Sequence, residues 1–184
     1  AWFSIIPLIF VLKNITSYRD VLRYSFLWGF IYNLTTVFWI AFNIGTNIYA
    51  ATLSMFATVF ILSFNIIFIS TLWYYINKKY ENYSLFIFPV IWVSIEYIRS
   101  YGILGFPWVN IANSQTIFFN LIQNAEYVGI YGISFWVLLI NVLLYNVINY
   151  FSKRNVFLLI LLFALPFISG NYLFNRLEEN KVNN

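Results

Sequence analysis

The chain has 184 residues, of which 62% are hydrophobic, 23% are aromatic and only 9% are charged, and its formal net charge is +4. A typical soluble domain carries about 25% charged residues, so this composition excludes a soluble globular enzyme, a disordered chain and a nucleic-acid-binding protein. Apolar runs of membrane-spanning length predict an all-α integral membrane protein instead.

Six apolar segments follow one another along the chain and predict a bundle of six transmembrane helices. The first segment is roughly 17 Å long as a helix, whereas the hydrocarbon core of a bilayer is about 30 Å thick. Because this segment is too short to span and residue 1 is not methionine, we expect the chain to be truncated at its N-terminus. The segments cover residues 2–12, 22–42, 48–76, 84–101, 132–151 and 156–174.

The charges of the connecting loops predict the orientation of the bundle. Lysine or arginine occurs in the first, third and fifth loops, whereas the second loop and the long fourth loop contain neither. By the positive-inside rule, the basic loops face the cytoplasm. The fourth loop, residues 102–131, and the C-terminus should therefore lie on the outer side of the membrane.

Charged residues near the end of the fourth segment form the first candidate site. Trp92, Glu96 and Arg99 are spaced i, i+4 and i+7, so they share one face of a helix. An ionisable residue at membrane depth is costly and usually faces the bundle interior or a cavity. The spacing favours an ion pair that fixes the helix end to the following loop, and the alternative is a direct role in substrate binding.

A short aromatic turn follows in the outer loop, made by Gly105, Phe106, Pro107 and Trp108. Pro107 fixes its own φ angle and favours extended backbone at Phe106, so two large aromatic side chains should lie on a stiff turn. This turn could be an anchor in the membrane interface or a surface that contacts a ligand.

The next stretch, residues 110–126, is unusually polar for this chain and includes Ser114 and Gln115. Irregular polar backbone at membrane depth is tolerated only where protein or a water-filled cavity surrounds it. This stretch should therefore lie in the outer interface or line a cavity there. Gly129, Gly132 and Ser134 follow at the start of the next helix, where small residues allow close helix approach.

The residue types that are missing limit the chemistry of the chain. It contains no cysteine and no histidine, so it supplies neither a thiolate nucleophile nor an imidazole base. Only six residues are acidic, and four of them lie in the tail or in charged loops. We therefore predict no metal and no organic cofactor.

These stretches, taken in order, resemble the bacterial apolipoprotein N-acyltransferase family. The similarity extends along nearly the whole chain but is specific over residues 89–136, where E-x-x-R is followed by G-F-P-W and then S-Q. In this family a bundle of transmembrane helices carries a nitrilase-like domain on the outer face of the bacterial inner membrane. The resemblance implies transfer of an acyl chain from a phospholipid to the N-terminal diacylglyceryl-cysteine of a lipoprotein.

The resemblance also implies roles for the candidate residues. Glu96 and Arg99 would hold the aromatic turn of residues 105–108 in place, and this turn would contact acyl chains or shape their entrance. Ser114 and Gln115 would line the same cavity. The expected partners are a phospholipid acyl donor, a diacylglyceryl lipoprotein acceptor and the lipid bilayer, with no nucleic acid.

The chain departs from the family pattern at its catalytic residues. The family uses a cysteine, which forms a thioester, together with a glutamate and a lysine, all in the nitrilase-like domain. We therefore expect a transmembrane domain over residues 1–175, the start of a linker over residues 176–184, and no activity of this chain alone. The alternative is a non-catalytic lipid-binding subunit that assists a separate nitrilase-like protein. A small transporter is disfavoured because few ionisable residues lie at mid-membrane depth.

Overall fold

The computed structural model describes residues 1–101 and 105–182, with side chains through residue 176. Within these ranges the chain is helical and contains no β-strand, as the composition predicts. The α-helices are α1 (Ile6–Asn14), α2 (Tyr18–Val37), α3 (Ile48–Lys79), α4 (Glu81–Arg99), α5 (Phe119–Ile122), α6 (Ala125–Asn149) and α7 (Lys153–Val182), and short 3₁₀ helices cover Phe38–Phe42, Pro107–Val109 and Ile111–Gln115.

Four helical stretches in the described part of the chain are long and apolar enough to cross a membrane. Helix α1 has only 9 residues, roughly 14 Å, and α4 carries Glu96 and Arg99 in its last turn, so neither belongs to this set. The all-helical fold with membrane-length helices is confirmed, and the bundle of six spans stays a prediction. The four stretches are Tyr18–Phe42, Ile48–Lys79, Ala125–Asn149 and Lys153–Arg176.

The chain forms two compact units, of which one comprises Phe10–Ile95. In this unit α2 packs along α3, and the contact is close at Gly29. A β-carbon at this glycine would lie 3.0 Å from the β-carbon of Ile66, so a side chain there would require Ile66 to shift by a few tenths of an ångström. Trp73 is buried, and its indole N–H donates to the carbonyl of Ser84 at 2.8 Å, which ties the end of α3 to the start of α4.

A polar network lies beside Trp73. The ammonium of Lys13 donates to Asn77 Oδ1 at 2.8 Å and to Ser84 Oγ at 3.4 Å. Partial burial lowers the pKa of Lys13, and the nearby carboxylate of Glu81 acts in the opposite direction. The network therefore connects three helices of this unit through side chains that hydrogen-bond to one another.

The other unit comprises Ala1–Ile9 and the chain from Glu96 onward. Helix α6 contributes more buried residues to this unit than any other element, including the fully buried Asn141. The side-chain oxygen of Asn141 accepts from the backbone N–H of Ile5 at 3.0 Å, and its amide N–H donates to the carbonyl of Val137. The first residues of the chain thus pack on α6, where the Trp2 ring also meets the edge of Trp136 at 5.0 Å.

Candidate functional site

The aromatic turn is joined to the end of α4 through the backbone. The N–H of Phe106 donates to the carbonyl of Arg99 at 3.2 Å, and Pro107 then begins a 3₁₀ turn that closes when Asn110 N–H donates to the Pro107 carbonyl. Proline suits this first helical position because it has no N–H to leave unpaired. Residues 102–104 lie outside the described residues, so the predicted outer loop is described only from Gly105.

Glu96 lies at the centre of the site. It is 1% exposed, and its Oε1 accepts a hydrogen bond from the backbone N–H of Ile111 at 2.8 Å. Glu96 therefore joins α4 to the second 3₁₀ helix, Ile111–Gln115.

Arg99 makes a second contact between α4 and the loop, at Asn110, the residue before Ile111. Its Nη2 donates to Asn110 Oδ1 at 2.7 Å, and Asn110 is itself buried. The Nδ2 atom of Asn110 has no hydrogen-bond partner among the described residues. Asn110 was not predicted as a site residue, and its only sequence signal was its place at the start of the polar stretch.

Helix α6 supports the loop from the opposite side. The backbone N–H of Ala112 donates to Ser134 Oγ at 3.2 Å, and Ser134 is fully buried. Tyr131 donates from its hydroxyl to Ser100 Oγ at 2.7 Å, and Ser100 in turn donates to the carbonyl of Glu96. The sequence assigned Ser134 only to close helix approach, whereas the structure also makes its hydroxyl an acceptor for the loop.

A glycine sets the direction in which α6 leaves the loop. Gly129 has φ 65° and ψ 178°, so it separates the first turn of α6 from the rest of the helix. Backbone with these angles is essentially restricted to glycine. Gly132 follows, and a β-carbon there would lie 2.5 Å from the β-carbon of Val128. Both glycines that precede the predicted helix are therefore required by backbone geometry.

The remaining predicted residues differ in exposure. Trp108 is 70% exposed, and its carbonyl accepts from the Asn113 side chain at 2.8 Å. Ser114 is exposed and donates to the carbonyl of Ile111, whereas Gln115 is buried and donates to Ser114 Oγ at 2.7 Å. The structure brings Glu96 and Arg99 together with the loop backbone, and it leaves the Trp108 ring on the surface.

This arrangement is suited to holding a loop. The described residues contain no group of three or more His, Cys, Asp or Glu side chains that could hold an ion. The carboxylate of Glu96 instead accepts a backbone N–H, and the guanidinium of Arg99 donates to an amide. The buried Glu96 thus holds the backbone of Ile111, Arg99 holds the side chain of Asn110, and the aromatic ring of Trp108 is exposed just before them.

Comparisons with known proteins agree with this sequence pattern. A family model described as the apolipoprotein N-acyltransferase N-terminal domain matches residues 1–143. The chain is 30% identical to apolipoprotein N-acyltransferase from Geobacter metallireducens, over 97% of this chain and 36% of the relative. It is 32% identical to the Rickettsia prowazekii protein, over 88% and 32%, and 28% identical to the Pasteurella multocida protein, over 81% and 28%. The chain thus spans about a third of the length of the curated relatives it matches. No solved structure matches it significantly. The chain belongs to the apolipoprotein N-acyltransferase family.

Proposed function

We propose that this chain is the membrane-embedded part of a phospholipid:apolipoprotein N-acyltransferase. The observation that carries the proposal is the family match over residues 1–143, which includes the whole constellation from Glu96 to Ser134. Four membrane-length apolar helices support a location in the bilayer. In bacteria this would be the inner membrane, and the loop charges favour a periplasmic C-terminus.

In this proposal the loop of residues 105–115 forms part of the wall against which the lipid substrates lie. Glu96 and Ser134 accept hydrogen bonds from its backbone, and Arg99 donates to the side chain of Asn110, so the exposed ring of Trp108 stands on an anchored loop. A large exposed aromatic side chain on a stiff turn offers an apolar surface to an acyl chain. The exposed Ser114 would continue the same surface, and the buried Gln115 would support it by donating to Ser114 Oγ.

The chemistry itself requires a group that residues 1–184 do not contain. A cysteine thiolate would attack the ester of the phospholipid, forming a thioester and releasing a lysophospholipid. The α-amine of the lipoprotein would then attack the thioester, forming the amide and regenerating the thiol. Because the sequence has no cysteine, we place this nucleophile in a nitrilase-like domain outside residues 1–184, and we expect this chain alone to be inactive.

The test is acyl transfer by the full-length gene product carrying Trp108→Ala. We expect loss of N-acylation, measured by mass spectrometry of a diacylglyceryl lipoprotein substrate, with normal membrane insertion. Phe157→Ala is the matched control, because Phe157 is an aromatic residue of α7 with a similar exposure of 64%. Near-normal transfer by the Trp108→Ala variant would remove the role assigned to the turn.

A second candidate is a lipid-presenting membrane subunit that works with a separately encoded nitrilase-like protein. The lack of cysteine in the sequence is the observation that favours it. DNA sequence on both sides of this stretch distinguishes the two candidates. A reading frame that continues beyond Asn184 into a nitrilase-like domain with a cysteine supports the acyltransferase, whereas a stop codon directly after Asn184 supports the subunit.

A further inference from the structure

We propose that a cavity between α6 and α7 binds one acyl chain of a bilayer phospholipid. The cavity has a volume of about 250 Å³. None of the predicted site residues Glu96, Arg99, 105–108, Ser114 and Gln115 lines the cavity, so it is distinct from the loop that carries Trp108. Its wall includes Leu121 of α5, Val128, Ile133 and Trp136 of α6, and Leu165 and Pro166 of α7.

The polar groups of the wall are already paired within the protein. Trp136 Nε1 donates to the carbonyl of Leu162 at 2.7 Å. Asn124 Nδ2 donates to the carbonyl of Pro166 at 2.7 Å, and Asn124 Oδ1 accepts from Ser169 Oγ at 2.6 Å. A buried water needs about two to four polar partners. Since these groups are occupied, the cavity favours an apolar occupant over water.

The volume limits the size of that occupant. An apolar cavity of about 150 Å³ stays dry and accepts a molecule as large as benzene. Sites for complete small molecules have volumes of about 300 to 1,000 Å³. At about 250 Å³, this cavity fits a segment of one hydrocarbon chain and is too small for a whole phospholipid.

Two features of the α7 backbone fix its position beside the cavity. Pro166 lies inside α7 and has no N–H to donate, so the Leu162 carbonyl one turn earlier is free to accept from Trp136. Gly170, one turn later, packs against α5, where a β-carbon would lie 2.0 Å from the carbonyl oxygen of Asn120. Helix α7 is therefore held against its neighbours on both sides of the cavity.

The surroundings identify the occupant as lipid. Both walls belong to helices with the length and mean hydropathy of membrane spans, 2.0 for α6 and 2.1 for α7. Val128 and Leu165 line the cavity and are still 55% and 52% exposed, so they lie at its opening. Within a bilayer, the molecule available at that depth is the acyl chain of a phospholipid. Binding there requires no acyl transfer, so the inference does not depend on the proposed function.

The test uses the full-length protein in bilayer discs of phosphatidylcholine with a photoreactive diazirine in one acyl chain. Irradiation, proteolysis and mass spectrometry locate the labelled residues. We expect label in residues 128–136 and 162–169. Leu165→Trp should fill the opening and lower this labelling by roughly fivefold or more. Ile168→Trp is the matched control, because Ile168 lies on the same helix, is 66% exposed and does not line the cavity.

Each outcome decides the proposal. Equal labelling of the unsubstituted protein and the Leu165→Trp variant, or label spread evenly along α7, would overturn it. Absence of label from residues 128–136 would show that protein rather than lipid fills the cavity and would overturn it as well. If Leu165→Trp does not fold, Val128→Phe closes the same opening from α6, and the same loss of label is expected.

Discussion

The carboxylate of Glu96 accepts a hydrogen bond from the backbone N–H of Ile111, 15 residues later in the chain, at 2.8 Å. Both residues are buried, with exposures of 1% and 2%. If this buried backbone N–H lost its acceptor, it could form a hydrogen bond to water only if the loop moved. Glu96 therefore helps to fix the position of residues 110–115, together with Arg99 and Ser134.

Replacement of Glu96 should therefore show how much this hydrogen-bond acceptor contributes to the free energy of unfolding. Glu96→Ala should lower the free energy of unfolding by about 1 to 3 kcal/mol, because it leaves the Ile111 N–H unpaired. Glu96→Gln keeps an oxygen acceptor and should lose less. Thermal unfolding of the purified protein in detergent measures both. Glu126→Ala is the control at an exposed carboxylate, and an equal effect at the two positions would contradict the assignment.

The contact between Arg99 and Asn110 predicts energetic coupling of the two side chains. A double-mutant cycle with Arg99→Gln and Asn110→Ala should give an interaction free energy of about 0.5 to 3 kcal/mol, as is usual for residues in one hydrogen-bond network. The cycle is measured by unfolding, and the N-acylation rates of the same four proteins show whether activity follows stability. Additive effects of the two substitutions would mean that the 2.7 Å contact contributes nothing.

Part of this site follows from local sequence. The i, i+3 spacing places Glu96 and Arg99 on one face of a helix, and Pro107 identifies a turn. The partners of these side chains could not be predicted, because they depend on the path of the loop in three dimensions. Asn110 and Ser134 are ordinary polar residues in the sequence and become site residues only when the loop brings Ala112 to Ser134.

The ends of the helices were also predicted only in part from the sequence. Hydropathy predicted the last segment to end at Phe174, whereas α7 continues to Val182. Glu178, Glu179 and Lys181 are poor membrane residues but good helix formers, and hydropathy measures transfer into lipid rather than helix propensity. Helix α6 likewise has a first turn, beginning at Ala125, that lies before the predicted start at Gly132 and is separated from the rest of the helix by the kink at Gly129.

The exposure of Trp108 separates its role from that of a core tryptophan. Trp108→Ala should leave the free energy of unfolding within about 0.5 kcal/mol of the unsubstituted protein, as for other surface residues. Trp73→Ala should lower it by about 3 to 5 kcal/mol, because Trp73 is 1% exposed. Chemical denaturation of both variants measures the difference. A large destabilisation by Trp108→Ala would show that its ring is packed in the protein.

Gly129 provides a test of backbone strain without a packing change. A β-carbon at this position meets no atom within 4 Å, so Gly129→Ala adds no clash. The angles φ 65° and ψ 178° should nevertheless make it destabilising by about 1 to 3 kcal/mol. Thermal unfolding measures the loss, and Gly45→Ala in the loop before α3 serves as the control glycine at negative φ. No loss of stability would mean that the α6 kink can relax.

The energetic contribution of the hydrogen bond from Trp136 to the Leu162 carbonyl should depend on whether residue 166 is proline. Trp136→Phe removes the donor and should cost about 0.6 to 2 kcal/mol, the range for hydrogen bonds between membrane helices. Pro166→Ala restores a backbone N–H that can donate to the Leu162 carbonyl within α7. The cost of Trp136→Phe should therefore fall by about 0.5 kcal/mol or more when Pro166 is already alanine. Unfolding of the four proteins gives this difference, and the loss of indole packing cancels because it is common to both backgrounds. The same cost in both backgrounds would show that the Leu162 carbonyl does not depend on Trp136 for a partner.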